Sequence, residues 1–229
     1  MDKRFWAIIG VIVVVFGGIL VVHNNKSNTG NSSSGKPTNH VEGNLNSKIT
    51  LVEYGDYQCP VCEGYYQVVQ QVQQKYNNTV KFQFRNLPLP PSMHPLALEA
   101  ARAAEAADMQ GKFWQMHDAL YTSQNYTEWA YDPSTQNVRS TDPLPLFKTY
   151  AKEIGLNVAK FQTDFASAIT NNRIQADVAA FSKTGQPEGT PTFFLNGKYI
   201  PNTQLVNSTG SPTVDAFSKV LDAALKQNQ

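Results

Sequence analysis

Two cysteines occur in the 229 residues, and they stand close together in Gly55-Asp56-Tyr57-Gln58-Cys59-Pro60-Val61-Cys62. Cysteines at this spacing can ligate a metal, form an inert staple, or open and close as a redox pair. Zinc needs two further ligands, and His23, His40, His94 and His117 are not paired at the usual histidine spacing. A staple across so short a loop adds little loop-closure stabilisation. Reversible exchange suits the spacing best, because residues three apart on a helix lie about 5–6 Å from one another, within disulfide reach.

The neighbouring pattern supplies that helix. Ile49 to Tyr54 is short, apolar and rich in β-branched residues, and Gly55-Asp56 stops it, which predicts a buried strand. From Cys59 to Tyr76 the apolar residues recur at three-to-four spacing, which predicts a helix that the cysteines open at an exposed end. Pro60 suits the first helical position, where its missing amide hydrogen has no partner to lose. Unpaired amides and the positive dipole end favour an anion on Cys59, making it the expected thiolate nucleophile. Cys62, one turn inside, is the expected resolving thiol.

Val80 to Arg85 alternates apolar and polar residues, completing a strand-helix-strand unit with parallel pairing. Helical patterns follow from His94-Pro95 through Leu96 to Asp108 and over Lys112 to Tyr121. They resume at Leu144 to Ile154, Val158 to Ile169 and Arg173 to Thr184. Tyr126 to Pro143 reads as a long irregular loop, whose Trp129 and Tyr131 either edge a groove or pin the loop. Thr192 to Leu195, Asn196-Gly197 and Lys198 to Ile200 predict a two-residue hairpin, and Thr213 to Lys226 a closing helix. The fold class is α/β with an inserted helical cap at about 93–186.

Phe5 to Val22 is eighteen residues without a charge, about 27 Å as a helix, which is expected to anchor the chain in a membrane. Lys3 and Arg4 place residues 1–4 on the cytoplasmic side and the domain outside. Residues 23–46 are rich in Asn, Ser, Gly and Thr and read as a flexible linker, leaving 47–229 as the folded domain. Net charge is +1, from 19 basic and 18 acidic residues, which leaves no electrostatic footprint for nucleic acid.

The helix-opening Cys59-Pro60-Val61-Cys62, the insertion at His94-Pro95, and Gly189-Thr190-Pro191-Thr192-Phe193-Phe194 before a hairpin together resemble the DsbA-like thiol-disulfide oxidoreductases of the thioredoxin fold. The resemblance runs from about Ile49 to the C-terminus. It implies that Pro191, preceded by Thr190, is a cis proline facing the cysteines and presenting backbone to the substrate chain. It implies that Glu53, six positions before Cys59, is a buried acid exchanging protons with the resolving thiol. Burial in an apolar strand would raise its pKa, although a salt bridge at Glu53 is the plainer explanation. The strongest oxidants among such relatives carry histidine where this chain has Val61, so a milder oxidant is expected.

By resemblance, the substrates are exported polypeptides at the outer side of a bacterial cell membrane, and a quinone-linked membrane partner reoxidises the pair. A monomer is expected, and neither a bound cofactor nor a metal is implied. The same thiols run in reverse would make a reductase or isomerase. A tethered chaperone or binding module with incidental cysteines is the rival from another class.

Overall fold

The structure, a computed structural model, describes residues 36–227. The apolar stretch Phe5 to Val22 lies outside the described residues. Among those described, no helix is long and apolar enough to cross a membrane.

Five strands make one sheet: β1 (His40–Gly43), β2 (Thr50–Gly55), β3 (Lys81–Asn86), β6 (Thr192–Leu195) and β7 (Lys198–Ile200). Their spatial order is β1-β3-β2-β6-β7, with β2 and β3 parallel and every other neighbouring pair antiparallel. The parallel pair is joined through α1 (Pro60–Tyr76), as the alternating and helical patterns require. The β6–β7 turn is Asn196-Gly197, with φ of 49° and 79°, the left-handed pair that suits a tight hairpin.

Side-chain alternation along β2 divides the core. Leu51 joins Phe82 and Phe193 against Tyr65, Val69 and Val72 of α1 and Phe217 and Leu221 of α8 (Val214–Gln227). Tyr54 faces the other way, onto Phe194 and Phe181 of α7 (Ala168–Ser182). A third cluster fills the insertion: the alanines of α2 (Ala97–Asp108), Phe113, Met116 and Leu120 of α3 (Phe113–Tyr121), Trp129 of α4 (Ser123–Trp129), Phe147 of α5 (Leu144–Glu153) and Phe161 of α6 (Val158–Phe165). Cys59 and Cys62 belong to that third cluster, so the pair lies where the insertion meets the strand-helix-strand unit.

Three expectations are corrected. The linker assigned to residues 23–46 contains β1, antiparallel to β3. Its polar residues fold because they are anchored: Thr38 donates its amide and hydroxyl to Asp177 (2.7 and 2.6 Å), and His40 Nε2 lies 2.7 Å from Glu105. The loop from Tyr126 to Pro143 holds the end of α4 and a short ribbon, β4 (Tyr131–Asp132) with β5 (Asn137–Val138). Trp129 is buried there and donates to the Leu120 carbonyl, so it pins the segment. The last cap helix runs through Asn171-Asn172. It starts after Ser167, whose hydroxyl accepts the Thr170 amide as an N-cap.

Candidate active site

Strand β2 ends at Gly55, where a Cβ would meet the Phe84 ring at 2.5 Å, so any side chain there would have to displace that ring. Cys59 follows as the N-cap of α1 with extended backbone (φ −74°, ψ 120°), and Pro60 occupies the first turn. Its sulfur therefore stands over the open amides of a seventeen-residue helix. Gln58, fully buried, holds this corner. Its side chain accepts the Leu96 amide (2.6 Å) and donates to the carbonyls of Ala130 and Arg139, while its own carbonyl accepts the Tyr126 hydroxyl.

The two thiols are unbonded and differ in character. The Cys62 thiol beside it is the main influence lowering the Cys59 pKa to about 6. Burial opposes this, while Thr190 and the Cys62 amide assist. Burial pushes Cys62 the other way, well above the ordinary thiol range, and the charges of Cys59 and Glu53 add to it. One sulfur is thus set to be a thiolate at neutral pH and the other to keep its proton. The exposed helix start expected for Cys59 is corrected: it is 5% exposed, against 1% for Cys62. Pro60 and Val61, the latter 55% exposed, form the open side of the motif.

Opposite lies the segment before β6. The Thr190-Pro191 peptide is cis, and the Thr190 carbonyl accepts the Cys59 thiol at 3.5 Å. The Thr190 hydroxyl is buried without a hydrogen-bond partner. Thr192 donating to Gly189 and Asn202 donating to the Pro191 carbonyl hold this segment in place.

Glu53 lies on β2 between Phe84 and Phe193 of the flanking strands. It lines a crevice with Val69, Trp114 and His117, a cavity of about 10 Å3, room for roughly one water. Burial raises its pKa to about 8, and among the described residues no ion pair reaches it, which removes the salt-bridge explanation. His117 lies on α3, its Nδ1 3.1 Å from the Tyr57 hydroxyl, and burial lowers its pKa to about 3.

The structure thus brings Cys59, Cys62, Thr190 and Pro191 together, with Glu53 behind them. Sequence reasoning passed over Gln58 and Asp56. A wholly polar residue directly before the nucleophile, amid aromatic neighbours, is the signal that could have found the first.

The family described as Thioredoxin matches residues 35–223. The chain belongs to the thioredoxin family. Among solved structures, a thioredoxin-like oxidoreductase from Silicibacter pomeroyi DSS-3 is similar with a TM-score of 0.63 and 26% identity, over 85% of this chain and 96% of that one. BdbD from Bacillus subtilis, oxidised, gives 0.64 at 23% identity, over 84% and 97%. Wolbachia pipientis alpha-DsbA1 gives 0.64 at 21%, over 84% and 94%. The thioredoxin fold with its helical insertion is therefore that of the DsbA-like proteins. In sequence, Na(+)/H(+) antiporter NhaA 3 of Salinispora tropica is 34% identical over 179 residues, 78% of this chain and 25% of the antiporter. The chain spans about a quarter of the length of the curated relatives it matches.

Proposed function

We propose that this thioredoxin-family chain is a thiol-disulfide oxidoreductase that passes its Cys59–Cys62 disulfide to exported polypeptides. The supporting observation is the asymmetry of the pair: one thiol with its pKa lowered to about 6 at a helix start, its mate buried and raised.

A substrate thiolate attacks Cys59 Sγ, and the Cys59–Cys62 bond breaks. Cys62 leaves as a thiolate and takes a proton, which Glu53, protonated below about pH 8, supplies from behind. A second substrate thiolate then attacks the substrate sulfur of the mixed disulfide and expels Cys59 as a thiolate. Two electrons pass from substrate to protein, and expulsion is easy because the departing thiolate is already stabilised. Thr190 and Pro191 present backbone to the substrate chain. In this reading Phe5 to Val22 anchors a monomeric domain outside the membrane, and a quinone-linked membrane partner restores the disulfide.

The test is to add the oxidised domain to a reduced, unfolded polypeptide and count the disulfides gained. Given a substrate that already carries a disulfide, Cys62→Ser should accumulate a mixed disulfide through Cys59, expelling a substrate thiolate, and Cys59→Ser should form none. A Cys59→Ser variant that keeps full activity would establish a binding module instead. An equilibrium with glutathione that leaves the pair oxidised under reducing conditions would favour the reductase direction.

A further inference from the structure

Beside the cysteines lies a group of side chains that the exchange above does not use. Asp56, 1% exposed, works with both its ends. Its backbone carbonyl accepts the Cys59 amide at 3.1 Å. Its carboxylate accepts the amides of Gln58 (2.7 Å) and Leu89 (2.9 Å), and one oxygen lies 2.7 Å from His94 Nδ1. His94 is 8% exposed and sits just ahead of α2, its carbonyl accepting the Ala97 amide. One residue therefore joins the nucleophile's backbone to an imidazole 38 positions further along the chain.

A carboxylate three residues before a thiolate opposes it, and Asp56 does act to raise the proton affinity of Cys59. A cation on Asp56 cancels that opposition. Burial disfavours charge on the His94 ring, yet the hydrogen bond and charge of Asp56, with the charge of Cys59, prevail and raise its pKa. The groups acting on His94 among the described residues are those two, one from the loop and one from the start of α1. Tyr126, the other titratable group over this corner, is held neutral by burial and by the sulfur charges. Val61, apolar and pointing outward, adds no charge to the motif.

Building on the assignment of Cys59 as nucleophile, we propose that His94, held by Asp56, is a positioning residue whose positive charge favours the Cys59 thiolate, so that its proton affinity changes with the oxidation state of the pair. When a dithiol reduces the disulfide, its two electrons enter the pair, Cys62 takes one of its two protons, the other goes to solvent, and Cys59 stays negative. The new charge tightens the hold of His94 on its own proton. Linkage makes the effect mutual: the factor by which the thiolate strengthens His94 is the factor by which His94 strengthens the thiolate. The contribution is present while His94 is protonated and is lost as pH rises through its raised pKa.

The experiment is an NMR pH titration of the His94 imidazole in the full chain, oxidised and reduced. His94 should bind its proton about tenfold more tightly in the reduced form, as expected for a full charge acting across a partly screened site. His94→Gln should raise the proton affinity of Cys59 by the same factor. At pH 7 it should shift the glutathione equilibrium about fivefold away from the reduced pair. Asp56→Asn added to His94→Gln should recover part of that loss. Identical His94 titrations in the two states would overturn the proposal, as would a folded His94→Gln protein with the Cys59 titration unchanged. Either result alongside normal disulfide transfer would leave the oxidoreductase reading standing. Coupled titrations in a protein that transfers no disulfides would instead uphold the coupling and sink that reading.

Discussion

Thr190→Val should weaken the thiolate without disturbing packing, since the two side chains are close in shape and the Thr190 hydroxyl, buried with no hydrogen-bond partner beside the neutral thiol, is free to donate to the charged sulfur. The Thr190 side chain helps to hold the Cys59 pKa at about 6. A hydrogen bond to a charged group contributes at least about 1.5 kcal/mol, which moves the Cys59 pKa to about 7. The pKa of the reduced protein is depressed, so thiolate stabilisation is full at high pH and is lost as pH falls through that pKa. At pH 7 the reduced form gains about 1.4 kcal/mol from ionisation with a pKa of 6 and about 0.4 with a pKa of 7, a difference of about 20 mV. The gap should widen to about 30 mV at pH 9 and close near pH 5. The variant should therefore be the weaker oxidant, by an amount that depends on pH. Thiolate absorbance gives the pKa, and equilibration with glutathione at the three pH values gives the potential. An unchanged pKa, or the same potential shift at pH 5 and pH 9, would refute the assignment of Thr190 as a donor to the sulfur.

Other outcomes follow from the same geometry. Glu53 binds a proton more tightly folded than unfolded, so its burial costs stability increasingly as pH rises from about 4.5 to its folded pKa of about 8. Glu53→Gln should raise the unfolding free energy by roughly 3 kcal/mol at pH 7 and by little near pH 4, read by denaturant titration, while slowing release of Cys62 from the disulfide. Arg173 pairs with buried Glu105 (2.7 Å) and with Asp108. Arg173→Leu should cost roughly 2–4 kcal/mol by denaturant titration, and the cost should grow as pH rises through the pKa of His40, raised by Asp108 and Glu105 against burial, because the second cation at these carboxylates is then lost. Deleting residues 36–43 removes β1 and should lower the thermal midpoint by several degrees; a chain indifferent to that loss would make the segment a tether after all.

Local pattern made the central unit legible. The β-branched run ending at Gly55, the α1 periodicity and the Asn196-Gly197 turn each carry their signal within a few residues. β1 was hidden because its anchors are remote: Thr38 bonds to Asp177, 139 positions away, and His40 to Glu105, 65 away. Asn171-Asn172 looks like a stop, yet α7 passes through it because Thr170 and Ile174 are buried on either side and Ser167 caps the true start. The helix within Ser123–Trp129 is too short to show a period and depends on the burial of Tyr126 and Trp129. At the site, Cys59 and Cys62 declare themselves by spacing, and Glu53, Thr190 and Pro191 entered through resemblance. The Asp56–His94 contact has no sequence signature, because only the folded insertion brings the two together.

The hold of Gln58 on Leu96, Ala130 and Arg139 means that the insertion forms the floor beneath the sulfur. Transplanting Asp56 to Cys62 onto a plain thioredoxin scaffold would strand that amide, with neither donors nor acceptors to receive it. Swaps between relatives that exchange the motif alone should consequently transmit less of a donor's reactivity than swaps that carry the cap along.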